Sequence, residues 1–248
     1  MDVMSLLNYG AVALFAAGIV KGFVGLGLPT VAMGLLTFGM EPRLALSLIL
    51  VPMLMSNLWQ MIRGGDMMGV MRRHWRFAVA LMVTVGLTVY LTREASDRLL
   101  LAMLSIALLI FAGASWKRMV PEIPPRLLRI TEVVTAIIVG VIGGLTGGWG
   151  APLAMYLSAR RVETEEFIRA SGFLIAAGSV PLLGSYAALG LASGPVFALS
   201  AALLVPTLLG FTVGETLRRR LNPEGFRKAL IWVFFLLGLD LMRRAIML

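Results

Sequence analysis

Seven stretches of this chain, residues 44–62, 75–92, 98–116, 127–144, 170–188, 195–214 and 229–247, are predominantly apolar over 18 to 20 residues. Each approaches the roughly 20 residues a helix needs to cross about 30 Å of hydrocarbon. Backbone groups in that medium must bond within their own segment, so the runs are read as membrane-spanning helices. Composition agrees, with 59% hydrophobic and only 14% charged residues among 248, and a mean hydropathy of +0.91. Soluble domains carry about 25% charged residues, and a soluble chain of this length has too little interior to hide the remainder. A cytosolic enzyme, a nucleic-acid module and a secreted disulfide scaffold are all poor fits. The chain has no Cys, which removes thiolate chemistry and cysteine-based metal sites. No cofactor and no metal are expected. The N-terminal apolar stretch lacks a basic leader, since Asp2 is the only charge before Lys21, and is read as a retained membrane segment.

Three shorter apolar pieces, 6–20, 28–40 and 151–158, lie beside glycine-rich breaks. One break runs from Gly22 to Pro29 and the other from Gly143 to Pro152, about 122 residues apart. After each come a short apolar piece, a polar turn and a long helix, carrying Ser47 in the first half and Ser171 in the second. Glycine frees φ and proline lacks an N–H, so a helix is expected to stop at each break and restart after the proline. Repeated broken helices often mark a transport site; the bland alternative is a pair of tight packing turns.

Charge chooses the topology. If each broken piece doubles back, residues 63–76, 117–129, 160–169 and 215–228 share one side and hold 16 Lys and Arg against 5 on the other. If each broken pair makes a single crossing, the division is 10 against 11. The positive-inside rule selects the first. It puts the N-terminus outside and makes residues 1–120 and 121–248 two inverted five-segment repeats within one membrane domain, with about 8–10 membrane segments. Arg243 and Arg244 fall on the outer side, against the trend. The net charge of +9 is then a topology signal.

Two breaks meeting at the midplane would form a pseudo-symmetric site whose helix starts aim positive dipole ends at an anion. Few polar residues are available to complete it: Thr30, Ser47, Ser56, Asn57, Gln60, Thr146, Ser171, Ser179 and Ser185. Trp149 either walls the pocket or packs. Lys21 is the one basic residue deep in an apolar run, either a counter-charge and proton carrier or a residue that snorkels or caps its helix. Among the acids, Glu132 lies near one end of a span, Glu215 leads into a basic loop and Asp240 sits beside Arg243 and Arg244. Proton coupling, where it occurs, is therefore expected through Lys21 or the anion itself, with Glu132 an outside candidate. His74, within Arg72-Arg73-His74-Trp75-Arg76, reads as part of a solvated loop. It stands alone without a catalytic partner, and no carboxylate pair lies in the spans, which argues against an intramembrane enzyme.

The string Lys21-Gly22-Phe23-Val24-Gly25-Leu26-Gly27-Leu28-Pro29 and the later Gly147-Gly148-Trp149-Gly150-Ala151-Pro152 resemble two signatures of the sulfite exporter TauE/SafE family, also called toluene-sulfonate uptake permeases. The resemblance covers essentially the whole chain. It implies an inner-membrane secondary-active carrier of sulfur-containing anions such as sulfite, sulfoacetate and sulfonates. It also implies a substrate path at Gly25, Gly27 and Pro29 and at Gly147, Gly150 and Pro152. Leu26 and Leu28 stand where a glycine triplet is commoner, narrowing or drying one wall. The physics by itself says small anion, so a passive anion channel and a carrier of non-sulfur carboxylates are the alternatives. The expected partners are the substrate anion and the lipid bilayer. Gly86, Ala107 and Gly113 offer packing within or between chains, leaving a homodimer open.

Overall fold

The computed structural model describes residues 3–117, 122–218, 220 and 223–247. The regular elements are helices: α1 (Val3–Val24), α2 (Leu28–Leu36), α3 (Pro42–Gly64), α4 (Met67–Leu91), α5 (Asp97–Lys117), α6 (Leu128–Thr146), α7 (Gly150–Ala159), α8 (Thr164–Ala188), α9 (Gly194–Ala202), α10 (Leu204–Arg218) and α11 (Pro223–Met247). Among the described residues, six stretches are long and apolar enough to cross a membrane: α1, α3, α4, α6, α8 and the α9–α10 stretch.

Both breaks fall at the expected glycines. Gly25 and Gly27 have φ of +88° and +101°, and Gly147 has +67°, a region glycine enters without steric cost. The restart points differ from expectation. Helices α2 and α7 begin at Leu28 and Gly150, so Pro29 and Pro152 lie inside the first turns rather than ahead of them. A missing N–H costs nothing there, because a helix start leaves those donors unbonded anyway. The 6–20 piece is also longer than read: α1 continues through Lys21 to Val24.

The 195–214 run is two helices, not one. Proline at 206 lacks the N–H that would bond the Ala202 carbonyl, and its ring crowds that group; the chain breaks at Leu203. Pro52 inside α3 raises the same problem with a different outcome. The Leu48 carbonyl it frees accepts a hydrogen bond from Ser200 Oγ at 2.8 Å, and Ser200 Oγ in turn accepts the Val51 N–H at 3.1 Å. The buried Ser200 hydroxyl thus satisfies the backbone groups that Pro52 leaves open in α3, a role that no sequence pattern announced.

Both hairpins double back. Tyr9 Oη donates to the Leu35 carbonyl at 2.6 Å, returning the end of α2 to the beginning of α1. Ile123 N–H, just ahead of α6, donates to the Ala159 carbonyl at the end of α7 at 3.1 Å. At the other end of α1, Arg63 of α3 pairs with Glu215 of α10 at 2.9 Å, and Arg73 of α4 pairs with Glu166 of α8 at 2.8 Å. The turns after α3, α7 and α10 thus share the basic face; Arg118 and Arg219, counted with it, lie outside the described residues. On the opposite face, Arg243 and Arg244 reach Asp240 at 2.9 and 2.8 Å. Arg244 also donates to the Thr37 carbonyl and lies 4.4 Å from the Phe38 ring centroid. Asp240 offsets one of the two charges, and Arg244 ties α11 to the end of α2.

Small residues set the closest helix contacts. A Cβ added to Gly22 of α1 would stand 2.0 Å from the Phe211 carbonyl oxygen, and one on Gly214 of α10 would stand 2.1 Å from that of Ile19. Gly18 and Gly210 repeat the contact one turn away. Lipid gives apolar side chains little reason to associate, so backbones in contact through small residues supply the dispersion energy instead. Helix α6 uses the same spacing: Gly140 and Gly144 seat against Thr84 and Thr88 of α4.

The 63–76 stretch is not a solvated loop throughout. Helix α4 begins at Met67, and Val70, His74, Phe77 and Leu81 form its buried stripe. His74 is buried, with Nε2 3.1 Å from Glu166 Oε1. The flanking arginines hid this 3–4 spacing, because they face outward from the same turns.

Candidate functional site

The starts of α2 and α7 abut. A Cβ on Gly150 would lie 3.6 Å from Gly27 Cα and 3.4 Å from Thr30 Oγ1, and one on Gly147 would lie 3.8 Å from Pro29 Cβ. Neither helix start has a side-chain cap. The first N–H groups of each helix therefore lack intrahelical partners, and two partially positive ends face one another across the junction. Thr30 Oγ1 is enclosed there, without a hydrogen-bond partner among the described residues. Two like dipole ends beside an unused hydroxyl make a local environment chemically suited to a small anion, the kind of ligand that free helix starts accept. Pro152, in the first turn of α7, supplies no donor and shapes the wall.

Lys21 does not snorkel. Its side chain is 1% exposed and turns onto α3, where Nζ donates to Asn57 Oδ1 at 2.5 Å. Asn57 is fixed in turn by donating Nδ2–H to the Met53 carbonyl at 2.7 Å. Among the described residues no carboxylate pairs with Lys21; its other neighbour is the Phe211 ring, 5.9 Å from Nζ to the centroid. A buried lysine whose hydrogen-bond partner is one neutral amide is, when protonated, a strong local source of positive potential, and one that an anion beside it would stabilise.

Gln60 locks this region to the second half. Its Nε2 donates to the Gly25 carbonyl at 2.9 Å and to the Ile168 carbonyl of α8 at 2.7 Å, and lies 3.3 Å from Ser171 Oγ. The first break is therefore held at the Asn57–Gln60 level of α3. The second is held nearer the helix start, where a Cβ on Gly147 would meet Leu46. The breaks straddle the middle of α3 rather than sharing one plane, and touch through Gly27 and Gly150.

Other expected site residues are spent locally. Ser47 Oγ donates to the Arg43 carbonyl at 2.8 Å, Ser171 Oγ to that of Ile168 at 3.0 Å and Thr146 Oγ1 to that of Ile142 at 2.7 Å. Thr146 Oγ1 also accepts the Gly148 N–H at 3.0 Å, closing the second break. Trp149 is wholly buried. Its ring lies where Cβ atoms on Gly143 and Gly178 would collide with it, and Nε1 is 3.3 Å from Met53 Sδ. In this structure it wedges α6, α8 and α3 together.

At the basic face Arg73 holds Glu166 through Nε and Nη2 at 2.9 and 2.8 Å and also reaches Asp66 at 2.8 Å. The guanidinium keeps the Asp66 carboxyl below its ordinary range by hydrogen bonding. Exposed pairs of this kind contribute about 0–1 kcal/mol each, so the cluster matters more for joining α4 to α8 than for stability.

A search against protein families aligns residues 10–241 with the sulfite exporter TauE/SafE family. The chain belongs to this family. No curated protein and no solved structure matches it. As a TauE/SafE family member with six long apolar stretches, it is a multi-pass membrane transport protein. The matched span contains both glycine breaks and the whole Lys21–Asn57–Gln60 group. Membership therefore bears on the junction itself as well as on the surrounding helices.

Proposed function

We propose that this protein is a secondary-active transporter of small sulfur-containing anions (sulfite, sulfonates or sulfoacetate-like compounds) in the inner membrane, with the anion held where the two helix breaks touch. The observation that carries this reading is the pair of uncapped helix starts meeting at Gly27 and Gly150 beside the unpartnered Thr30 hydroxyl. Gly25, Pro29, Gly147 and Pro152 shape the cradle. Lys21, carried on Asn57, supplies the positive potential. Because the nearby polar groups are donors or neutral, the site suits one compact oxyanion better than a cation.

Alternating access follows if the halves 1–120 and 121–248 are inverted copies that rock against one another. The helix pairing supports this. α1 packs on α10 as α6 packs on α4, while α3 with α8 and α5 with α11 each pair across the halves. Reporters fused at residues 68 and 222 are expected in the cytoplasm and one at 190 outside, in line with the positive-inside rule. Opposite locations for 68 and 222 would rule the arrangement out.

The Lys21 role has its own test. Lys21→Met is expected to weaken anion binding about tenfold or more, as for the loss of one charge-assisted contact, and Lys21→Arg much less. Equal affinities in titrations of the two purified variants would remove Lys21 from the site.

A further inference from the structure

A groove of about 390 Å³ runs between α5, α6 and α7. On α6 it is lined by Thr131, Thr135, Ile138 and Ile142, a single stripe at helical spacing, and on α7 by Pro152 and Tyr156. From Thr131 to Ile142 the stripe covers about 16 Å at 1.5 Å per residue. That is close to half the roughly 30 Å hydrocarbon thickness, the depth of one leaflet. The groove starts at the basic face, where Ile123 and Ala159 line it, and ends at Pro152 in the second break. Ile138 is 49% exposed and Ile110 of α5 is 57% exposed, so the groove opens sideways into the bilayer.

The mouth is cationic. Arg160 follows Ala159, and its Nη1 lies 3.3 Å from the Tyr156 hydroxyl. Arg161, next to it in sequence, is exposed, as are Arg126 and Arg129, which lie between the lining residues Ile123 and Thr131 in sequence. The acids flanking these arginines are Glu122 and Glu163, which are exposed, and Glu132, which is buried; Glu165 and Glu166, further along, pair with Arg169 and Arg73. An apolar slot one leaflet deep under a guanidinium-rich rim matches one occupant in both shape and charge.

We infer that this groove binds an anionic phospholipid of the basic-face leaflet, one acyl chain lying along the α6 stripe and the phosphate meeting Arg160 and its neighbours. Because the chain end reaches Pro152, occupancy bears on the second break; that consequence rests on the transport reading above, whereas binding itself does not. Each guanidinium near the headgroup contributes about fivefold in affinity, from roughly 1 kcal/mol per basic residue.

The test uses the purified full chain in detergent, read by thermal unfolding and by native mass spectrometry. Dioleoyl phosphatidylglycerol should raise the melting temperature and stay bound as a discrete adduct. Dioleoyl phosphatidylcholine should do so several-fold more weakly, and inorganic phosphate or glycerophosphoglycerol should not do so at all. Arg160→Gln should weaken phosphatidylglycerol binding about fivefold, and Ile138→Trp, at a half-exposed position, should fill the slot and remove the adduct. Equal binding of the two lipids, or an adduct that persists in both variants, overturns the inference. Stabilisation by the headgroup or phosphate alone would reassign the site to a free anion and overturn it too. Should lipid bind as described while transport is unaffected by lipid composition, only the link to the second break is lost.

Discussion

Replacing Gly150 by leucine should abolish anion uptake in a protein that still folds and inserts. A Cβ at this position finds ordinary contacts at 3.4 Å from Thr30 Oγ1 and 3.6 Å from Gly27 Cα, so the first carbon of a new side chain fits without moving the backbone. The rest of the leucine side chain then occupies the junction and covers the Thr30 hydroxyl. Alanine should give an intermediate loss, because it shields the hydroxyl without filling the junction. Gly27 is a less clean target: its φ of +101° burdens any side chain with about 1–2 kcal/mol of backbone strain, mixing misfolding into the transport readout. Uptake into proteoliposomes, measured beside melting temperature, checks the prediction. Normal uptake by the leucine variant would remove the junction as the site.

The second large effect concerns stability. Gly22→Leu and Gly214→Leu should each cost about 3 kcal/mol or more, at or beyond the upper end for overpacking. Their Cβ atoms would lie 2.0 and 2.1 Å from carbonyl oxygens of the facing backbone, and a backbone cannot swing aside as a side-chain end can. Separating α1 from α10 would also move Lys21, which precedes Gly22, away from the Phe211 ring on α10. Gly184→Ala in α8 is the control: nothing lies within 4 Å of its Cβ, and helix propensity favours alanine by up to about 1 kcal/mol. Thermal unfolding in detergent should show the first two variants melting far below the third. Equal melting of Gly22→Leu and Gly184→Ala would contradict the close helix packing.

Period and punctuation made most of the architecture readable in the sequence. Five of the seven long apolar runs are long and apolar enough to span among the described residues, and α1, read as a shorter piece, is a sixth; duplicated Gly/Pro strings marked the breaks, and Lys/Arg placement pointed to hairpins that double back. What escaped depended on tertiary partners. Pro206 follows an interruption of its helix while Pro52 and Pro181 lie inside continuous ones, and the hydroxyl that satisfies the carbonyl freed by Pro52 comes from Ser200, some 150 residues away in sequence. His74 was obscured because arginines on the outward side of α4 dominate the local composition, although its inward spacing from Val70 and Phe77 was visible. Of the candidate site, Gly27, Gly150 and Thr30 are brought together, and Lys21 and Asn57 are joined. Ser47, Ser171 and Thr146 hydrogen-bond nearby backbone instead, as hydroxyls in apolar helices commonly do. Residue type could nominate these hydroxyls but could not say which one lacked a backbone acceptor.

On the proposed reading, a small anion binds where the two helix starts meet. A thermal-shift titration on the purified chain tests it most directly, using sulfite, alkyl and aryl sulfonates, sulfoacetate and matched carboxylates on wild type and on Gly150→Leu. A ligand that binds only the folded state raises the melting temperature with concentration, by about 2.7 kcal/mol at a hundredfold excess over Kd. Such a shift is expected for at least one sulfur oxyanion in the wild type, and none in Gly150→Leu, each shift being taken from that protein's own ligand-free melting temperature. The same shift in both proteins would contradict it.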